Sequence, residues 1–213
     1  MPSIRITPLI FRSCFHPRTN TPRPTPDPIQ SIRHCPQVDI GKGVTASGAD
    51  FSKINEKGNV PALVLDDGTV LNEGAAVLAW IADQAPGKVA AEQGTSARYT
   101  QIGLLNYVAS EVHPNVGGLF YPGQHEAVVA AKKAAAAEKF AYLTWLLQGK
   151  PFLGGAEASI ADYYLYIVLS WTQWVGIDLA AAAEMNAYYL RVKALPNVAA
   201  AHERMATSPA TTL

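Results

Sequence analysis

The sequence has little cysteine, no excess of charge of either sign and no long apolar run. Its two cysteines, Cys14 and Cys35, make neither a disulfide framework nor a metal-site spacing. Seventeen basic and seventeen acidic residues balance to a formal net charge of zero. That balance gives no global case for nucleic acid or an anionic membrane as a partner. No apolar run reaches the roughly 18 residues of a membrane span. The one apolar cluster near the start, Pro8-Leu9-Ile10-Phe11, is too short for the core of a secretory signal. The expectation is a soluble cytoplasmic protein without a metal. What is present is enough apolar material for a real core: 213 residues, 49% of them hydrophobic, fit one large domain or two small ones.

Composition changes sharply along the chain. Residues 1–37 hold eight of the fifteen prolines, five arginines, no lysine and a single acid, Asp27. Pro17, Pro22, Pro24, Pro26 and Pro28 forbid a regular helix there, because each lacks an N–H and crowds the preceding turn. Polyproline or disordered chain is expected for this segment. From about Val38 the pattern changes to strand and turn signals as far as Leu71, and then to helical periodicity almost to the end.

The stretch GNVPALVLDDGTVLNEG, residues 58–74, reads as a hairpin that runs straight into a helix. Ala62-Leu63-Val64-Leu65 and Thr69-Val70-Leu71 are its strands, and Asp66-Asp67-Gly68 supplies residues that tolerate a tight turn. Pro61 stands at the strand entrance, where its missing donor does least harm, and the bond before it can be cis. An outward, unpaired backbone at Val60 would offer an edge to which an extended peptide can add. Glu73-Gly74 opens the helix Ala75–Ala82, which stops before Pro86-Gly87. A helix N-terminus suits a carboxylate, and Glu73 beside it suits an ammonium. The same acid can equally do no more than favour the helix start.

Helices dominate the remainder. SARYTQIGLLNYVASEVH, from Ser96 to His113, carries Asn106, Ser110 and His113 at a spacing that places them on one face. Pro114 is expected to end that helix, with Gly117 to Pro122 as an aromatic loop. The polar strip serves either a ligand or ordinary hydrogen bonding. Residues 125–148 form a long Ala- and Lys-rich helix stopped by Gly149. Ser159-Ile160-Ala161-Asp162 reads as an N-terminal capping box before Tyr163–Trp171, a stretch apolar on nearly all sides and therefore central in a bundle. Trp171 either packs in that core or lines an apolar pocket. Two amphipathic helices, near 182–194 and 198–205, follow on either side of Pro196.

INEKGNVPALVLDDGTVLNEG, ARYTQIGLLNYVASEVH and ASIADYYLYIVLSW, in this order and at these spacings, resemble the cytosolic glutathione S-transferases, and most of all the bacterial beta class. The resemblance runs from about Val38 to Met205. It implies an α/β plus all-α fold: a thioredoxin-like N-terminal domain, here with its front half degenerate or disordered, and then an all-α helical bundle. On that reading residues 1–37 are an aberrant segment, 38–87 a partial thioredoxin-like glutathione-binding domain and 95–213 the all-α domain. It also implies glutathione as co-substrate, a small apolar electrophile as second substrate and a homodimer. Carried over residue by residue, the Val60 backbone pairs with the cysteinyl unit of glutathione and Pro61 is cis. Glu73 and Gly74 hold the γ-glutamyl end. Asn106, Ser110, Glu111, Val112 and His113 face glutathione, as does Lys42, which lies near the position of a helpful lysine after the second strand. Phe120, Tyr121 and Trp171 are the candidates for the apolar co-substrate pocket. Cys14 and His113 are the catalytic candidates.

In the beta class a Tyr-x-Pro-x-Ala-Cys-Ser stretch ends the first strand and supplies the catalytic cysteine. Residues 1–37 do not contain it. Cys14 lies at about the right distance before Val60, but no helix can follow it to depress its thiol pKa, which leaves an ordinary thiol. The segment therefore reads as a frame-shifted or misassigned start. Two functions stand side by side at this point. One is a transferase that joins the glutathione thiol to an electrophile, gaining from proximity and a stabilised thiolate. The other is a non-catalytic glutathione-binding or partner-binding relative, or the inactive product of a frame-shifted gene.

Overall fold

A computed structural model describes residues 38, 39, 41–45 and 47–207, with side chains through residue 203. The expectations for residues 1–37, Cys14 included, lie outside the described residues. The described residues divide into two compact units, one up to residue 85 and one from residue 86 to 207.

Among its described residues the first unit has two short antiparallel pairs. Strand β1 (Val38–Asp39) pairs with β2 (Val44–Thr45), Val38 opposite Thr45. A 3-10 turn, Phe51–Lys53, follows; Asp50 caps it by accepting the Ser52 N–H at 2.9 Å, and Phe51 is fully buried. The expected hairpin is present. Strand β3 (Ala62–Val64) pairs with β4 (Val70–Asn72), Leu63 opposite Leu71. Its turn is closed by Leu65 N–H donating to Thr69 O at 2.8 Å, with Gly68 at φ +87° and Asp67 accepting the Thr69 N–H at 2.8 Å. These are the jobs that glycine and aspartate do in tight turns. The Val60–Pro61 bond is cis. Helix α1 (Gly74–Asp83) starts directly after β4 and buries Val77 and Ala82.

The second unit is helical. Helix α2 (Ser96–Tyr107) is capped by Thr95, whose hydroxyl accepts the Arg98 N–H at 3.2 Å. The single helix expected to run to His113 and end at Pro114 is corrected here. The chain widens into a π-helical turn, Val108–Val112, in which the His113 N–H reaches back to Val108 O. Helix α3 (His113–Gly117) continues from it, with a 3-10 turn over Gly118–Phe120. Proline has no N–H to give, so it breaks the middle of a helix, but it fits a first turn, where no partner is needed. The π-turn supplies that fresh start, and the residues read as a loop are helical as far as Phe120.

Helix α4 (Glu126–Leu146) follows, with His125 as its cap and Gly149 at φ +73° beyond its end. Helix α5 (Ile160–Ser170) is central as expected: Leu165 and Val168 are fully buried, and it lies against α2, the π-turn, α3 and α7. Helix α6 (Thr172–Val175) ends at Gly176 in the left-handed region. Helices α7 (Ala183–Lys193) and α8 (Pro196–Thr207) complete the unit, and Pro196 opens α8 rather than standing outside it.

The capping box of α5 does more than cap. Asp162 is fully buried and accepts from Ser159 N–H (2.8 Å), Ser159 Oγ (2.8 Å), Leu153 N–H (2.6 Å), Gly154 N–H (3.2 Å) and Tyr188 Oη (2.9 Å). One carboxylate thereby joins the loop before α5, the start of α5 and the body of α7. Its charge is tolerable inside the protein because every donor around it is aimed at it. Burial beside that charge pushes the Tyr188 phenol well above its ordinary value.

Candidate functional site

In the first unit the candidate residues gather where the hairpin begins and ends. Asn55 is buried at 3% exposure. Its Nδ2 donates to Asn59 O at 2.6 Å, and its Oδ1 accepts from Lys57 N–H at 3.3 Å and Asn72 Nδ2 at 3.4 Å. The turn before β3 is thus tied to the last residue of β4. Val60 follows that turn, and among the described residues its backbone N–H and C=O make no hydrogen bond. Pro61 is buried behind it.

At the other end of the hairpin Glu73 has φ +72°, the one positive value outside glycine among the described residues. A non-glycine residue in that region costs about 1–3 kcal/mol, and such residues cluster at ligand clamps and switches. Glu73 O accepts the Val77 N–H at 3.0 Å and so begins α1, but its side chain does not cap the helix. The carboxylate turns outward and takes the Lys57 ammonium at 2.6 Å; Lys57 Nζ also reaches Asn72 Oδ1 at 3.3 Å. Both side chains are more than half exposed. Gly74 is the first residue of α1 and carries no side chain over the helix N-terminus. The result is an exposed acid already holding an ammonium, next to backbone donors that suit a carboxylate. Lys42 stands elsewhere, in the β1–β2 turn, exposed and paired with Asp39 at 3.3 Å.

In the second unit the polar strip is split. Asn106 and Ser110 are exposed, and Ser110 Oγ donates back to Asn106 O at 3.0 Å. The π-turn Val108–Val112, which contains Ser110 and separates Asn106 from His113, changes the angular step, so the regular helical spacing does not carry through. Glu111 pairs with Lys139 at 3.1 Å, a hydrogen bond that raises the lysine pKa above its ordinary value. Val112 is fully buried, so its side chain belongs to the core and not to an open face.

His113 sits among aromatic rings. Its Nδ1 lies 2.7 Å from Tyr164 Oη. Its ring meets Trp171 edge to face at 4.9 Å and Tyr164 at 5.8 Å, and Trp171 meets Phe120 at 5.9 Å. Burial lowers the His113 pKa below 6.5, which keeps the ring neutral at physiological pH. A Cβ at Gly117 would stand 3.1 Å from His113 Cδ2 and 3.3 Å from Trp171 Cζ3, so the glycine makes room for the two rings. Trp171 is 8% exposed and serves both the core and this cluster. Phe120 belongs to the cluster; Tyr121, 72% exposed, makes no ring contact among the described residues.

Three residues of these groups escape a reading of the sequence: Asn55, Lys57 and Tyr164. The first two sit in INEKGN, which signals only a turn. Tyr164 looks like one more apolar residue of α5, and its partner lies 51 residues away. Among the described residues no group of three or more His, Cys, Asp or Glu could hold a metal ion, and no helix is long and apolar enough to cross a membrane.

Comparison with known proteins identifies the family and the fold. Residues 25–84 match the family profile "Glutathione S-transferase, N-terminal domain", and residues 111–204 match "Glutathione S-transferase, C-terminal domain". Over 162 residues the chain is 35% identical to glutathione S-transferase GstA of Escherichia coli O157:H7, covering 76% of this chain and 81% of that one. A sphingomonad glutathione S-transferase solved in complex with glutathione superposes with a TM-score of 0.76 at 36% identity, over 81% of this chain and 87% of the other. A bacterial beta class enzyme from Sphingomonas chungbukensis gives 0.74 at 37% identity, over 79% and 84%. The fold is a thioredoxin-like N-terminal domain followed by a helical C-terminal domain, and the chain belongs to the glutathione S-transferase family.

Proposed function

We propose that this protein binds glutathione as co-substrate and joins its thiol to small apolar electrophiles, as a cytoplasmic homodimer. The observation that carries the reading is Glu73: an exposed carboxylate, held out at the start of α1 by an unusual backbone conformation and already on an ammonium. The α-ammonium of a γ-glutamyl group offers Glu73 the same chemistry as Lys57. The α-carboxylate of that group suits the N–H donors of α1 beside Gly74. The unpaired Val60 backbone suits the extended cysteinyl unit as an added strand. In the second unit Trp171 and Phe120 supply an apolar surface for an electrophile, with His113 as a polar group within it. The sphingomonad relative, similar over most of its length, is complexed with glutathione.

Passage of the full-length protein over immobilised glutathione, followed by a conjugation assay with an apolar electrophile, tests the reading. Retention and turnover are expected. Retention without turnover would reduce the function to binding, and loss of retention would overturn it.

A further inference from the structure

We propose that Lys57 is an autoinhibitory counter-ion: its ammonium fills the place on Glu73 that a ligand ammonium needs, and it leaves when such a ligand enters. The fold sets this contact up. Asn55, buried, donates from Nδ2 to Asn59 O, and its Oδ1 accepts from Asn72 Nδ2 and from the backbone N–H of Lys57 itself. Lys57 is thereby held beside the end of β4, where its Nζ meets Glu73 Oε1 at 2.6 Å and Asn72 Oδ1 at 3.3 Å. Glu73, at φ +72°, turns its carboxylate out to meet it. Among the described residues Lys57 is the one cation on that carboxylate. The chain's own ammonium thus stands in its ammonium site. A second ammonium on the same carboxylate would come close to Nζ, and like charges at that separation repel. Ligand and lysine therefore exchange. The exchange is easy, because both side chains are more than half exposed and such a pair is weak. Lys57 lowers the affinity for a ligand that brings an ammonium to Glu73, and not for one that brings none. Taking glutathione as that ligand rests on the function proposed above.

Calorimetric titration of the full-length protein tests this with two ligands: glutathione, and its analogue in which hydrogen replaces the α-amino group. Lys57→Met keeps the length of an exposed side chain and removes its charge, so the fold should stand. It should bind glutathione about two- to fivefold more tightly than the parent, the scale of one exposed ion pair. The gain should vanish in a Glu73→Gln background, where no carboxylate is left to contest. It should vanish too with the deaminated analogue, for which parent and Lys57→Met should have equal affinities. Lys57→Arg, which keeps the charge, should show no gain. Equal or weaker binding of glutathione by Lys57→Met than by the parent overturns the proposal and leaves the proposed function standing. A gain of the same size with the deaminated analogue, or in the Glu73→Gln background, does the same. Binding by Lys57→Met where the parent binds nothing measurable would support the proposal in its strongest form. Binding by neither would overturn the proposed function, and this competition with it.

Discussion

Two carboxylates, one in each unit, begin helices in opposite ways. Asp162 opens α5 from inside the core, with five donors on its two oxygens and no exposure. Glu73 opens α1 from the surface, caps nothing, and holds one exposed lysine. The first carboxylate is fully committed to the fold, so no ligand can use it. The second is poorly used by the fold: an exposed ion pair contributes about 0–1 kcal/mol, less than its backbone conformation costs. A charge that stability does not require, held in a costly conformation, is what a binding site needs. The contrast separates stability from binding, and variants can break or sharpen it.

The largest effect is expected at Asp162. Asp162→Ala leaves the N–H groups of Leu153, Gly154 and Ser159 and the Tyr188 hydroxyl without their acceptor, and should cost about 3–5 kcal/mol. The capping box alone, read from sequence, gives Ser159 and Asp162 about 1 kcal/mol each. The packed structure puts far more on the aspartate, and urea denaturation midpoints of Asp162→Ala and Ser159→Ala should differ accordingly. Equal midpoints would mean the buried network is not made.

Gly154→Ala comes next. A Cβ there would lie 2.8 Å from the Glu157 carbonyl oxygen and 2.9 Å from Ser159 Cβ, both rigidly placed at the start of α5. Crowding of that kind costs about 1–3 kcal/mol, again read from the denaturation midpoint. A stability equal to that of the parent would show that the loop before α5 yields easily.

This part of the molecule also shows what a sequence can carry. The hairpin, its Asp-Asp-Gly turn, the start of α1 and the Ser159–Asp162 box depend on residues a few positions apart, and all were legible. The π-turn was not, because Pro114 reads as a stop unless the preceding turn is known to widen and offer it a new first turn. The reach of Asp162 to Tyr188 and of His113 to Tyr164 was not legible either, since helix packing creates those contacts and no local pattern signals them. Of the candidate residues, Glu73 and His113 showed their polarity in a local context. Val112 was legible only as apolar, and its place in the core follows from packing. Lys57 and Asn55 acquire meaning only once the turn before β3 is brought against the end of β4.

A smaller effect should appear with pH. Burial lowers the His113 pKa below its ordinary value of 6.5, so the unfolded chain binds this proton more readily than the folded one. Stability should therefore be complete above about pH 6.5 and decline as pH falls towards the lower folded-state pKa. His113→Gln should flatten the dependence in that window, measured as denaturation midpoints from pH 7 down to about pH 5. The smallest effect on stability is expected for Glu73→Gln, which removes only an exposed ion pair and should move the midpoint by less than about 1 kcal/mol.

That same variant gives the most direct measurement of the central claim. Calorimetric titration with glutathione should show Glu73→Gln binding roughly tenfold to a hundredfold more weakly than the parent, the worth of one charge-assisted hydrogen bond of about 1.5–3 kcal/mol. A loss of that size in a variant of parental stability would place the γ-glutamyl ammonium on Glu73. Equal affinities in parent and variant would remove Glu73 from the site and contradict the account.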